Sequence, residues 1–132
     1  MNGAIAITPL DLSLTALLET SDVISLHCPL TAETRHLIDR AALARVKRGA
    51  LLINTARGPV IDEEAVAEAL DAGHLGGVGL DVFEAEPVAH PRAVLLPHIG
   101  SATVTARRQM AVKAAGNLVA ALRGEAPPDR VA

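Results

Sequence analysis

Short apolar runs alternate with amphipathic stretches along most of the chain, and this alternation predicts its elements. The clearest unit lies in the middle. Ala50-Leu51-Leu52-Ile53-Asn54 follows Gly49 as a continuous apolar run closed by a polar residue, the pattern of a parallel strand buried on both faces. Thr55-Ala56-Arg57-Gly58-Pro59 breaks it with a Gly-Pro step that marks a loop. Asp62 then caps a helix with Glu63 and Glu64 in its first turn, an inward face of Val66, Ala69 and Leu70, and Gly73 beyond its last turn. The same reading predicts strands over residues 4–7, 23–27, 77–80 and 93–96, and helices over 14–19, 40–46 and roughly 104–123. Leu12/Leu17, Ile38/Leu43 and Ile61/Val66 flank the cap residues Ser13, Asp39 and Asp62 as hydrophobic staples. The long last helix carries Met110, Ala114, Leu118 and Leu122 on one stripe and stops at Gly124, after which the chain reads as linker or frayed end. His27 is placed on the inward side of its strand. Strands alternating with helices imply right-handed crossovers and a parallel sheet, an α/β fold.

Composition narrows the class. A chain of 132 residues makes one domain the default, large enough to bury about 65–70% of its extended surface. Half the residues are hydrophobic, yet Phe83 is the only aromatic, so the core is built of Ala, Val, Leu and Ile. Without aromatic platforms, and with a net charge of −3, the chain is a poor match to nucleic acid. Cys28 is the only cysteine, which excludes an internal disulfide and suits a reducing compartment. No leader-like start and no apolar run near the ~20 residues of a membrane span is evident, so a cytoplasmic protein is expected. Five histidines and one cysteine show no ligand spacing, and no metal site is expected. His36, His74 and His90 have no partner identifiable from sequence. Gly76-Gly77-Val78-Gly79 enters a strand instead of opening a helix, so it reads as close packing and not as a dinucleotide fingerprint.

Chemistry gathers at the strand ends. Cys28-Pro29, Thr55-Ala56-Arg57, Asp81 and His98 all follow predicted strands, and in an open α/β sheet ligands bind along that edge. Arg57 offers a permanent charge and a planar fork matched to a carboxylate; position alone equally suits a surface arginine beside a turn. His98 can act as an acid or base near neutral pH, although a lone histidine at a strand end is more often structural. Glu86, between Ala85 and Pro87, could orient that histidine and raise its pKa by stabilising the imidazolium; taken alone it is ordinary loop acidity. Asp81 could cap a turn or accept from an amide, and a structural and a functional reading suit it equally.

At these residues the chain resembles the D-isomer-specific 2-hydroxyacid dehydrogenases, the group that includes D-3-phosphoglycerate, glyoxylate/hydroxypyruvate and D-lactate dehydrogenases and formate dehydrogenase. The resemblance runs over about residues 10–124. It rests on Ser21-Asp22-Val23-Ile24-Ser25-Leu26-His27-Cys28-Pro29-Leu30-Thr31, Leu52-Ile53-Asn54-Thr55-Ala56-Arg57-Gly58, Gly79-Leu80-Asp81-Val82-Phe83-Glu84-Ala85-Glu86-Pro87 and Leu96-Pro97-His98-Ile99-Gly100-Ser101, in the family's order. It implies hydride exchange between a 2-hydroxy or 2-keto acid and NAD or NADP. Arg57 would hold the substrate carboxylate, His98 would donate the proton, and Glu86 would keep that imidazole charged and aimed, all three facing one cleft. Formate dehydrogenase carries glutamine in place of this glutamate, so the Glu86–His98 pair points to hydroxyacid chemistry. Cys28 and Pro29 would line the adenosine side, with Thr55, Ala56, Arg57, Asp81, His98 and Gly100 toward the nicotinamide.

The resemblance also implies what is missing. The family's phosphate-binding G-x-G-x-x-G turn and its ribose-reading acidic residue would precede residue 1. The expected fold is thus a partial Rossmann-like, doubly wound parallel sheet with flanking helices that lacks the first two strands. Residues 1–124 form a truncated NAD(P)-binding domain and 125–132 a tail, whether as a truncated product, a split-gene partner or a fragment. Residues 4–7 would be the family's third strand, and the vacant edge of 23–27 is expected to pair with them out of register or with a second copy. The expected partner is therefore a homodimer mate or a complementing N-terminal half. The alternative is a non-catalytic, dinucleotide-responsive interaction module or an inactive remnant.

Overall fold

The computed structural model describes residues 12–85 and 87–130. The strand expected at 4–7, its pairing, and Glu86 lie outside them. Helix α1 (Leu14–Thr20) leads into strand β1 (Val23–Leu26), α2 (Arg40–Arg45) into β2 (Leu51–Asn54), and a short 3-10 turn (Gly58–Val60) with α3 (Glu63–Asp71) into β3 (Gly77–Leu80). Strand β4 (Ala93–Leu95) follows a loop, and α4 (Val104–Leu122) closes the sequence of elements. The chain divides into two compact units between Pro97 and His98.

In the first unit the strands form one parallel sheet in the order β1-β2-β3-β4, with Ile24 beside Leu52 and Leu52 beside Val78. That register puts Ile24, Leu26, Leu52, Val78 and Leu80 on one face. Leu18 of α1, Leu43 of α2 and Val66 and Leu70 of α3 join them in a continuous core. Each helix begins as its sequence dictates. Ser13, Asp39 and Asp62 accept the backbone N–H three residues on, from Ala16, Ala42 and Ala65. The outer staple residues of α2 and α3 also find each other: Ile38 and Ile61, both fully buried, form a parallel bridge that ties the two helix starts together. Arg92 donates to the carbonyls of Leu70 and Leu75, satisfying the end of α3.

The opposite face departs from the expectation of double burial. Leu51 is 42% exposed and Val94 65% exposed, so among the described residues β2 is covered on one side only. Between these side chains the glycines of β3 keep the surface low. A Cβ at Gly79 would lie 3.0 Å from the Ile53 side chain, and one at Gly76 would lie 2.3 Å from the Gly49 carbonyl oxygen, which bears out close packing as the reason for the glycine run.

In the second unit Thr103 caps α4 by accepting from Ala106 N–H. Met110, Leu118 and Leu122 of the apolar stripe are all exposed. The segment after Gly124, read as linker or frayed end, is instead tied to α4: Asp129 accepts from Lys113 Nζ at 2.5 Å, and its backbone N–H donates to Asn117. None of the described helices is long and apolar enough to cross a membrane.

Candidate functional site

Because the strands are parallel, the carboxyl ends of β1, β2 and β3 share one edge of the sheet. There the structure brings Cys28, Pro29, Ala56 and Arg57 together, with His27 and Leu30, around a hollow of about 480 Å³. Thr55 and Asp81 stand at the end of a second, apolar trough of about 590 Å³ that runs along the open face past Leu51, Ile53 and Val94. Asp81 is buried, and its backbone N–H donates to the Asn54 carbonyl.

The turn that presents Arg57 is built by a residue to which the sequence assigns no role. Asn54 is fully buried at the end of β2. Its Oδ1 accepts from Ala56 N–H at 3.0 Å, and its Nδ2 donates to the Arg57 carbonyl at 2.9 Å. One side chain thus closes the turn from both sides, and Arg57 leaves it extended and exposed, its Nη1 donating to the Ala56 carbonyl. Only an amide could do this, since it carries a donor and an acceptor on one planar group. The signal was a polar residue closing an apolar run.

Gly58 comes next, and its Cα hydrogens face another backbone: a Cβ there would lie 2.0 Å from the Phe83 carbonyl carbon. The Arg57 turn is therefore packed directly on the loop that follows β3. Two carboxylates hold that loop. Glu63, opening α3, accepts from the backbone N–H groups of Glu84 at 2.6 Å and Ala85 at 3.2 Å. Glu84 in turn accepts from His36 Nε2 at 2.7 Å and pairs with Arg35. The His36 hydrogen bond holds the Glu84 carboxyl below the usual carboxylate range, with Arg35 adding to it against a desolvation penalty.

His98 opens the second unit. Its backbone lies in the left-handed region at φ 55°, uncommon for a residue with a side chain, and its ring is exposed. Gly100, two residues on, is also exposed.

The remaining histidines alter the sequence picture. His27 is exposed, not inward, and hydrogen-bonds Ser25 Oγ at 2.9 Å, because Ile24 and Leu26 take the buried parity of β1. His36, for which no partner was identified, meets Glu84. His74 donates to the Val46 carbonyl at 2.8 Å. His90 Nδ1 accepts the Arg92 N–H, and its Nε2 lies 3.6 Å from Asp71. Among the described residues no cluster of His, Cys, Asp or Glu could hold a metal ion.

Residues 5–100 match the family described as D-isomer specific 2-hydroxyacid dehydrogenase, NAD binding domain. The chain is 54% identical over 122 residues to a glyoxylate reductase of Thermofilum pendens, covering 87% of this chain and 36% of that protein. It is 50% identical over 119 residues to glyoxylate/hydroxypyruvate reductase B of Erwinia tasmaniensis, covering 85% of this chain and 37% of that one. Among solved structures it superposes on a glyoxylate reductase from Paecilomyes thermophila with a TM-score of 0.80 at 43% identity, covering 87% of this chain and 37% of that chain. D-lactate dehydrogenase from Aquifex aeolicus, complexed with NAD and lactic acid, gives 0.81 at 32% identity, covering 86% and 41%. The chain spans little more than a third of the length of the curated relatives it matches.

Proposed function

The chain belongs to the D-isomer specific 2-hydroxyacid dehydrogenase family, matched through its NAD binding domain, and we propose that residues 1–124 supply the cofactor side of an enzyme that reduces a small 2-keto acid to its D-2-hydroxy acid with NADH or NADPH. Glyoxylate and hydroxypyruvate are the substrates to test first, since the relatives at about half identity are named for them. The observation that carries the reading is the Arg57 turn. Its guanidinium leaves the carboxyl end of a central parallel strand, on a backbone closed by a buried asparagine, beside a hollow of mixed polarity lined by His27, Cys28, Pro29, Leu30 and Ala56. In this reading Cys28 and Pro29, which line the hollow, serve the adenosine side of a dinucleotide and Ala56 the nicotinamide side, with Thr55 and Asp81 at the neighbouring strand ends and Gly100 assigned to the nicotinamide as the resemblance implies.

When bound, the reduced nicotinamide supplies the hydride. Arg57 clamps the substrate carboxylate with its planar fork and stabilises negative charge growing on the neighbouring carbonyl oxygen. His98, protonated, gives its proton to that oxygen as the C=O bond becomes C–O–H, and takes it back when the reaction runs toward the keto acid. Glu86 keeps the imidazole charged in the reducing direction. Among the described residues β1 is an edge strand and one sheet face is open, which favours a second polypeptide, either another copy or a complementing N-terminal half. A single cysteine suits a cytoplasmic setting.

The test is glyoxylate-dependent oxidation of NADH followed by absorbance. Turnover is expected, with His98→Ala lowering kcat by about 10²–10⁴-fold, the usual contribution of a positioned acid. Arg57→Ala should raise KM for the keto acid, with Arg57→Lys restoring only part of the loss. Saturable NADH binding without turnover of any 2-keto acid would instead favour a dinucleotide-responsive module. No cofactor-dependent rise in melting temperature would leave an inactive remnant.

A further inference from the structure

The Gly58-Pro59 step behind Arg57 is enclosed by contacts that neither the sheet nor the helices require. On one side His36 donates its backbone N–H to the Pro59 carbonyl at 2.8 Å. On the other side the peptide joining Phe83 to Glu84 lies against the Gly58 Cα. A Cβ there would stand 2.0 Å from the Phe83 carbonyl carbon and 2.4 Å from the Glu84 nitrogen. The two sides are then joined to each other, because His36 Nε2 and Glu84 Oε2 lie 2.7 Å apart. Arg35 pairs with the second oxygen of Glu84, and Glu63 accepts the Glu84 N–H. The result is a closed ring: Pro59 to the His36 backbone, the His36 ring to the Glu84 carboxylate, and the Glu84 peptide back onto Gly58. His36 closes it from the left-handed region, at φ 49°, a conformation uncommon for a residue with a side chain. From there one residue sends its backbone to Pro59 and its ring to Glu84. The Arg57 carbonyl sits between this ring and the strand end, accepting from Asn54 Nδ2 at 2.9 Å and from Val60 N–H at 3.2 Å.

We propose that His36 and Glu84 are positioning residues for Arg57: their side chains lock the ring around Gly58-Pro59 and so fix the turn from which the guanidinium reaches a carboxylate ligand. This rests on the carboxylate-binding role of Arg57 proposed above. Asn54 holds the turn from the strand side and the ring holds it from the other, so opening the ring loosens the turn while the core beneath stays packed. A partly exposed ion pair contributes little to global stability. The effect of this one is therefore read in the turn and its ligand, not in the melting temperature.

The experiment is NMR on the intact protein with NADH present, and no turnover is required. Oxalate stands in for the keto acid and is titrated against the Arg57 Nε–H resonance, while amide exchange is followed at His36 and Val60. His36→Asn opens the ring with least backbone disturbance, because asparagine tolerates positive φ yet is too short to replace the imidazole. Glu84→Ala opens it from the other side, and Glu84→Gln keeps an acceptor for His36. His36→Asn and Glu84→Ala are each expected to speed exchange at both amides and to weaken oxalate binding by about threefold or more, as coupled neighbours do. The double variant should match the stronger single variant, and Glu84→Gln should recover part of the loss. The sign is informative. Removing a carboxylate near an anion tightens binding by Coulomb attraction alone, so weakening in Glu84→Ala reports position and not charge. Glu64→Gln, which removes a negative charge outside the ring, should leave oxalate binding unchanged or slightly tighter. If His36→Asn and Glu84→Ala bind oxalate as well as the wild type or better, while Arg57→Ala loses it, the positioning role is overturned and the reading of Arg57 stands. Losses that simply add in the double variant overturn it too, since the two residues would then act separately. If the wild type takes up no oxalate, or Arg57→Ala binds it equally well, the reading of Arg57 itself fails and the positioning role falls with it.

Discussion

Asn54 shows how much of a turn can rest on one buried amide. Its amide satisfies Ala56 N–H and the Arg57 carbonyl inside the protein, where either group unpaired would cost about 1–3 kcal/mol. Asn54→Leu, of similar size, should therefore lower stability by about 2–4 kcal/mol in urea titrations. Under the proposed function, binding of the keto acid should weaken as well, since the turn presenting Arg57 is released. Asn54 stands in the sequence between Ile53 and Thr55 for anyone to read, but its role was not legible. A linear sequence shows a polar residue closing a strand without showing which backbone groups fall within its reach. The same holds for Glu84. Its carboxyl titrates below the ordinary value of 4.5 because His36 and Arg35 stabilise the charged form. A folded-state pKa below the unfolded one means stability fully present above about pH 4.5 and lost as pH falls through the depressed value. Glu84→Gln should flatten the fall in melting temperature between pH 5 and 3, leaving other acid-sensitive contacts to account for what remains. The partners His36 and Arg35 lie far back in sequence, and only the fold brings them across.

The elements were legible because the signals that set them are local. Ser13, Asp39 and Asp62 each cap the helix predicted behind them, and the observed strands sit within a residue of the apolar runs that announced them. A cap acts three residues away and a staple five, so both stay visible in a short window of sequence. Asp62→Ala should cost about 1 kcal/mol. Here the cost carries further than usual, because Ile61 beside it holds the bridge to Ile38 and the helix behind it carries Glu63. The expected outcome is a loss of exchange protection at Ala65 together with Glu84, with α1 unaffected. Side-chain parity along β1 was less legible. Val23 and Leu26 are both apolar and lie on opposite faces, so His27 could be assigned inward. The stronger pair at alternate positions, Ile24 and Leu26, in fact takes the core and turns His27 out with Val23 and Ser25. Composition alone also could not show that β2 is covered on one face, since Leu51 and Leu52 read identically.

At the scale of the whole first unit, the sheet face left uncovered among the described residues is the main departure from an ordinary parallel sheet. Parallel sheets are ordinarily covered on both sides, yet Val23, Leu51 and Val94 stand exposed on one side of the first unit, around an apolar trough. Adjacent residues of β2 make the asymmetry measurable. Leu52 is 1% exposed and lies among Ile24, Val78 and Leu80, so Leu52→Ala should cost about 2–5 kcal/mol. Leu51→Lys points into the open trough and should change stability by no more than about 0.5 kcal/mol. The two substitutions separate burial from surface apolarity one residue apart, which no argument from hydropathy can do. If the trough is open in solution, the protein should bind a hydrophobic dye and self-associate as its concentration rises, and Leu51→Lys or Val94→Lys should suppress both without lowering the melting temperature. A fall in melting temperature with Leu51→Lys as large as that with Leu52→Ala would mean that this face is covered in the folded protein. The open face would then have to be abandoned as a reason to expect a second polypeptide.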